Sequence, residues 1–137
     1  MAALPITLDS ARRILLVKPS ALGDVVHTLP VVATLKRRYP AIPLDWLVEE
    51  EVAPLVAGHP AVASVVVSGR RRWLRQLRRP AEASAALGEM RSLVTELRRR
   101  RYDAVLDLQG LLKSALYVVA AGAPVRVGLA DAREGAR

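Results

Sequence analysis

Apolar residues in this chain gather in short runs, and the runs alternate with stretches of helical spacing. The first run, Arg13-Ile14-Leu15-Leu16-Val17, is rich in large aliphatic residues and reads as a buried strand within Arg12–Lys18. Val25, Val26, Leu29, Val32, Ala33 and Leu35 then recur at helical spacing and predict a helix over Gly23–Arg38, ended by Pro40. Leu44–Val48 predicts a second strand, in which Leu44, Trp46 and Val48 alternate with Asp45 and Leu47. Glu49-Glu50-Glu51 predicts the opening of a short helix to Ala57, because acids suit the positive end of a helix dipole. Gly58-His59-Pro60 breaks it, and Val62–Val67 follows as a third strand.

Ser68–Pro80 reads as a basic loop or short helix carrying Trp73. Ala81–Arg101 predicts a long helix with Leu87, Met90, Leu93, Val94 and Leu97 on one face. Tyr102–Leu108 is a fourth strand, Gly110–Ala121 a strongly apolar helix and Val125–Gly128 a short fifth strand. Apolar strands separated by helices pair in parallel and are covered on both faces. The expected fold is therefore a doubly wound, mainly parallel, Rossmann-like α/β sheet. Residues 1–11 read as a flexible tail and 12–137 as one domain. A fifth strand followed by only a few residues suggests a domain that is incomplete.

Composition narrows the chemistry. With no Phe among its 137 residues, the core must be built from Val, Leu and Ala. The absence of cysteine excludes disulfides and Cys-ligated metal, and fits a reducing cytoplasm. Met1–Ser10 lacks the basic-then-apolar pattern of a secretory signal, and no apolar run reaches the ~18–20 residues of a membrane span. The net charge is +8. Eleven arginines lie between Arg70 and Arg101 against only Glu82, Glu89 and Glu96, so this stretch suits phosphate, nucleic acid or an anionic membrane surface. A solvated helix face accounts for it equally well.

Candidate chemistry gathers where the first strand turns into the first helix, at Lys18-Pro19-Ser20-Ala21-Leu22-Gly23-Asp24. Ser20 or Gly23 is placed to cap the helix, whose first amides lack intrahelical partners. Asp24 falls in its first turn, where the dipole favours an ionised carboxylate. The turn stands at the carboxyl end of a strand, where open α/β sheets bind ligands. Position alone leaves Asp24 either a catalytic group or a helix stabiliser. Neither GxGxxG nor GxxxxGK[ST] occurs. Lys18 points at the same cleft or is simply an exposed strand end. His27, three residues after Asp24, either touches that site or is a surface or packed histidine. His59 before Pro60 reads as structural, and Asp107 as a buried, hydrogen-bonded carboxylate. Gln109 and Lys113 open a helix near the cleft. Trp73 either stacks on a ligand or packs its loop down.

Taken together, KPSALGDVVHTLP, LDWLVEE, the GRRRW loop, YDAVLDLQGLLKSA and VGLADARE resemble, in order, the start of the heptosyltransferases of glycosyltransferase family 9. The likeness runs from Arg12 to Glu134, and WLVEE and LDLQGLLKSA point to the type I branch. It implies a two-domain GT-B enzyme of lipopolysaccharide core assembly. The N-terminal domain would hold Kdo-lipid A, and a C-terminal domain absent from this sequence would hold ADP-heptose. The heptosyl group would pass with inversion, without a cofactor or metal, on the cytoplasmic face of the inner membrane of a Gram-negative-type bacterium. The resemblance makes Asp24 the general base. It makes Arg71, Arg72, Arg75 and Arg133 contacts to the acceptor's anionic groups, with Lys18, Ser20, Gly23, Gln109 and Lys113 beside them. Ala21 stands where family members often have a second Ser. The competing reading is a non-catalytic Rossmann-like module that binds an anionic ligand or nucleic acid on its arginines. No nucleic-acid signature supports it, and Trp73 is the one stacking residue in the basic stretch. A family 9 enzyme with another acceptor is a further alternative.

Overall fold

The β-branched and leucine-rich runs form five parallel strands in the order β3-β2-β1-β4-β5. The computed structural model describes residues 8, 10–110 and 112–128. In chain order the elements are β1 (Ile14–Val17), α1 (Leu22–Arg38), β2 (Leu44–Glu49), α2 (Ala53–Val56), β3 (Ser64–Ser68), α3 (Arg70–Gln76), α4 (Pro80–Arg99), β4 (Ala104–Asp107), α5 (Leu112–Ala121) and β5 (Val125–Gly128). The central strand β1 pairs Val17 with Leu47 of β2 on one side and with Asp107 of β4 on the other.

Side chains on a strand alternate between faces, and here the alternation sorts the core into two halves. Ile14, Leu16, Trp46 and Val48 pack with Val25 and Val32 of α1 and Val56 of α2. Leu15, Val17, Leu47 and Val105 pack with Leu97 of α4 and Tyr117 and Val118 of α5. All four β1 side chains are at most 2% exposed, worth about 1.5–3 kcal/mol each when fully buried. The sheet is thus doubly wound, as the sequence pattern predicts. Along β2, Asp45 and Glu49 share the parity of Leu47, and both are buried.

Two local expectations change. α1 is entered through Ala21, in an extended conformation and without a side-chain cap, so neither Ser20 nor Gly23 caps it. The helix also continues through Pro30, although proline removes one helical hydrogen bond. The acidic run does not open a helix: Glu49 ends β2, Glu50 and Glu51 form a turn, and α2 is confined to Ala53–Val56. The basic stretch after β3 is helical over Arg70–Gln76, and β5 spans the predicted Val125–Gly128.

Candidate active site

The chain leaves β1 toward one face of the sheet and leaves β4 toward the other. This reversal opens a crevice at the carboxyl ends of the two strands, the place where doubly wound sheets bind ligands. The loop following β1 is fixed from both flanks. The Trp46 indole donates to the Lys18 carbonyl at 3.2 Å, and the Glu49 amide donates to the Pro19 carbonyl at 2.9 Å. On the other side the Leu108 amide donates to the Val17 carbonyl at 3.0 Å. The loop therefore delivers the first turn of α1 to the crevice in a set position.

Asp24 lies in that first turn with its side chain 60% exposed, and the Lys18 ammonium stands 4.0 Å from Oδ2. Lys18 also donates to the Leu108 carbonyl at 3.3 Å, which ties the cation between the two strand ends. The cation thus faces a carboxylate that is reachable from solvent, in a first turn whose dipole favours negative charge. A side chain at Gly23 would meet no atom within 4 Å, so the surface beside Asp24 is open.

Behind the loop lies a charge cluster built from four elements. Glu49, 1% exposed, receives Arg70 Nε at 3.1 Å and Lys113 Nζ at 3.6 Å on Oε1, with Arg71 Nε 3.4 Å from Oε2. Lys113 also donates to Ser20 Oγ at 2.6 Å, joining α5 to the β1 loop. Ser20, Ala21, Leu22, Glu49, Glu51, Val52 and Arg71 line a cleft of about 350 Å³. The turn after β4 is held by Asp107, which accepts the Gln109 and Gly110 amides and the Ser114 hydroxyl. Gly110 takes a positive φ of 69° there, a conformation open to glycine. Asp107 is thus the buried structural carboxylate that the sequence suggests. At the end of β3, Ser68 Oγ lies 2.5 Å from the Tyr117 hydroxyl, whose pKa burial pushes up.

Lys18, Ser20, Gly23, Asp24, Arg71 and Lys113 therefore come together at the strand ends, and Gln109 stands in the turn after β4. Arg72 is engaged elsewhere. It bonds Glu50 at 3.0 Å, Glu89 at 2.7 Å and Gln76 at 3.3 Å. Hydrogen bonds from Arg72 and then from Trp73 hold the Glu89 carboxyl below its usual range. Gly69 permits this crowding, since a Cβ there would run into Glu50 Oε1 and lie 2.7 Å from Arg72 Nη2. Arg75 is exposed in the last turn of α3 and does not line the cleft. Arg133 lies outside the described residues. Trp73 is buried and donates to Glu89 at 2.6 Å, a packing role. His27 is exposed, and His59 Nδ1 accepts the Ala61 amide within its turn.

The arginine stretch is not one stripe. Arg99 pairs with Glu96, and Arg100 reaches Asp45 at the far end of the sheet. Glu49 is the site residue that the sequence reading misses. The one available signal was an acid closing a mostly apolar strand.

Comparison with known proteins agrees with this fold. Residues 90–136 match the model of glycosyltransferase family 9 (heptosyltransferase). The chain is 48% identical over 103 residues to lipopolysaccharide heptosyltransferase 1 of Pseudomonas aeruginosa, covering 75% of this chain and 28% of that protein. It is 41% identical over 118 residues to the Escherichia coli K12 protein of the same name, covering 85% and 35%. Among solved structures, E. coli heptosyltransferase WaaC with ADP-2-deoxy-2-fluoro heptose superposes with a TM-score of 0.76 at 38% identity, covering 89% of this chain and 38% of that one. A family 9 glycosyl transferase from Veillonella parvula shares the fold at 18% identity and a TM-score of 0.71. The chain spans well under half the length of each of these relatives. In sequence and fold the chain is thus similar to part of the heptosyltransferases of glycosyltransferase family 9.

Proposed function

We propose that this chain is the acceptor-binding half of an inverting heptosyltransferase that transfers heptose from ADP-heptose to the Kdo of Kdo-lipid A. The observation that carries this reading is Asp24, an exposed carboxylate in a helical first turn paired with Lys18, next to a loop that Lys113 ties down through Ser20 and a cleft that Arg71 lines. In the proposed reaction an acceptor hydroxyl attacks the anomeric carbon while Asp24 takes its proton. The bond from that carbon to the ADP oxygen breaks on the opposite side, and ADP carries away the electron pair. The hydroxyl proton comes off late, so an ordinary ionised carboxylate suffices as base. The reaction asks for no metal, because the diphosphate leaving group departs readily.

Lys18, Arg71 and Lys113 would hold acceptor carboxylate or phosphate through charge-assisted bonds. Ser20, Gly23 and Gln109 would shape the cleft around it. Arg75 and Arg133 remain acceptor contacts by resemblance. The donor would sit mainly on a second domain of the complete enzyme. The exposed cations on α3 suit work beside an anionic membrane surface on the cytoplasmic side. Dispersal of the arginines between the two ends of the sheet removes the main support for a nucleic-acid module.

The test is Asp24→Asn in the complete enzyme, assayed with ADP-heptose and Kdo-lipid A. Turnover is expected to fall by about two to four decades, the range for a general base, with the melting temperature unchanged. Near-normal turnover would exclude Asp24 as base.

A further inference from the structure

We propose that Glu49 is the positioning residue of this site, keeping Arg71 at the mouth of the cleft without itself touching the ligand. The inference rests on the acceptor reading above. A carboxylate that is 1% exposed requires partners, because removing a charge from water costs several kcal/mol. Glu49 divides its partners unequally between its two oxygens. Oε1 faces the Arg70 guanidinium at 3.1 Å and the Lys113 ammonium at 3.6 Å, on side chains that are only 26% and 22% exposed. Lys113 is in turn locked to Ser20 by its 2.6 Å bond. These two cations neutralise the carboxylate and fix it.

Oε2 is buried and has no hydrogen-bond partner. Arg71 Nε lies 3.4 Å from it, on a side chain that is 53% exposed and lines the cleft. Glu49 thus attracts Arg71 by charge without capturing it in a hydrogen bond. The guanidinium is kept near the cleft, and its donors remain available for an incoming anion. The chemical class that fits is a carboxylate or phosphate oxygen of the acceptor, which arginine meets with two parallel bonds. The Glu49 amide bonds the Pro19 carbonyl, so the same residue also joins this arm to the loop that carries Asp24.

The experiment is a double-mutant cycle on Glu49 and Arg71 in the complete enzyme, measuring the KM for Kdo-lipid A, the KM for ADP-heptose and kcat. Arg71→Ala should raise the acceptor KM about tenfold, equivalent to one charge-assisted bond, and leave the donor KM unchanged. Glu49→Gln, which turns an amide donor or a neutral oxygen toward Arg71, should raise the acceptor KM by a similar factor. The double variant should be no worse than the poorer single variant, because both changes remove one arrangement. Glu49→Asp keeps the charge but draws it back by one methylene, and should fall between wild type and Glu49→Gln. It carries the comparison if the Gln variant fails to fold. Multiplying effects in the double variant, or an acceptor KM unmoved by either Glu49 change, would overturn the positioning role alone. An acceptor KM unmoved by Arg71→Ala would overturn the acceptor reading and this proposal with it.

Discussion

One strand carries two buried carboxylates, and its two ends use them differently. At the start of β2, Asp45 is fully buried and both of its oxygens accept hydrogen bonds, although the neighbouring Arg13 Nε makes none. Arg13 Nε lies 3.0 Å from Oδ2, Arg100 Nη1 donates to Oδ2 at 2.9 Å, and the Tyr102 hydroxyl donates to it at 2.6 Å. Arg100 also reaches Ser64, so the strand ends and the end of α4 close into one network. Burial and the hydrogen bond to Asp45 drive the Tyr102 pKa upward, which keeps the phenol a donor. At the other end of β2, Glu49 has an equally buried carboxylate, but one of its oxygens lacks a hydrogen bond and its third cation is half exposed. A satisfied buried network specifies structure, whereas unspent donors beside a cleft are capacity for a ligand. Arg13 and Arg100 are held by Asp45 at one end of β2, whereas Arg71 at the other end is half exposed beside a cleft.

The contrast breaks most visibly at Asp45. Asp45→Asn leaves Arg13 without its counter-ion and Arg100 with Glu96 alone, and breaking a buried pair costs about 3–5 kcal/mol. Thermal unfolding of the complete enzyme should register that loss, while the acceptor KM of the folded fraction should not change. Arg72→Ala probes the cation that the sequence assigned to the acceptor and that the fold ties to Glu50 and Glu89. These bridges are half exposed and worth roughly 0.2–1 kcal/mol each, so stability should drop slightly. The acceptor KM should rise far less than in Arg71→Ala, and an equal rise would return Arg72 to the site.

Glu89 gives the smallest effect, and one that depends on pH. Its folded pKa is depressed by Arg72 and Trp73, so its contribution to stability is present above the ordinary glutamate range and is lost as pH falls through the lower folded value. Glu89→Gln should flatten that acid limb in melting temperature against pH, by lowering the melting temperature slightly at neutral pH and leaving it nearly unchanged at low pH. An unaltered acid limb would show that the Arg72–Glu89 pair is idle in solution.

Most of the fold was legible because strands and helices write themselves locally. The run Ile14–Val17 could only be a buried strand, and Val125–Gly128 was readable residue for residue. Asp24 and its lysine neighbour were readable for the same reason, since both follow from one strand-to-helix turn. Glu49 was not. Three successive acids look like a helix start, and their true partners come from α3 and α5, far along the chain. The arginines failed similarly. Their number was plain, but the separation of Arg71 from Arg72 and of both from Arg100 depends on which acids the fold brings near.

The most direct test of this division is hydrogen exchange on the complete enzyme, with and without saturating Kdo-lipid A. Binding should slow exchange in the peptides that carry Lys18–Asp24, Glu49–Val52, Arg70–Arg71 and Lys113. Exchange around Arg13, Asp45 and Arg100–Tyr102 should stay as it was. Protection centred on the Asp45 end, with the Asp24 loop unaffected, would contradict the account.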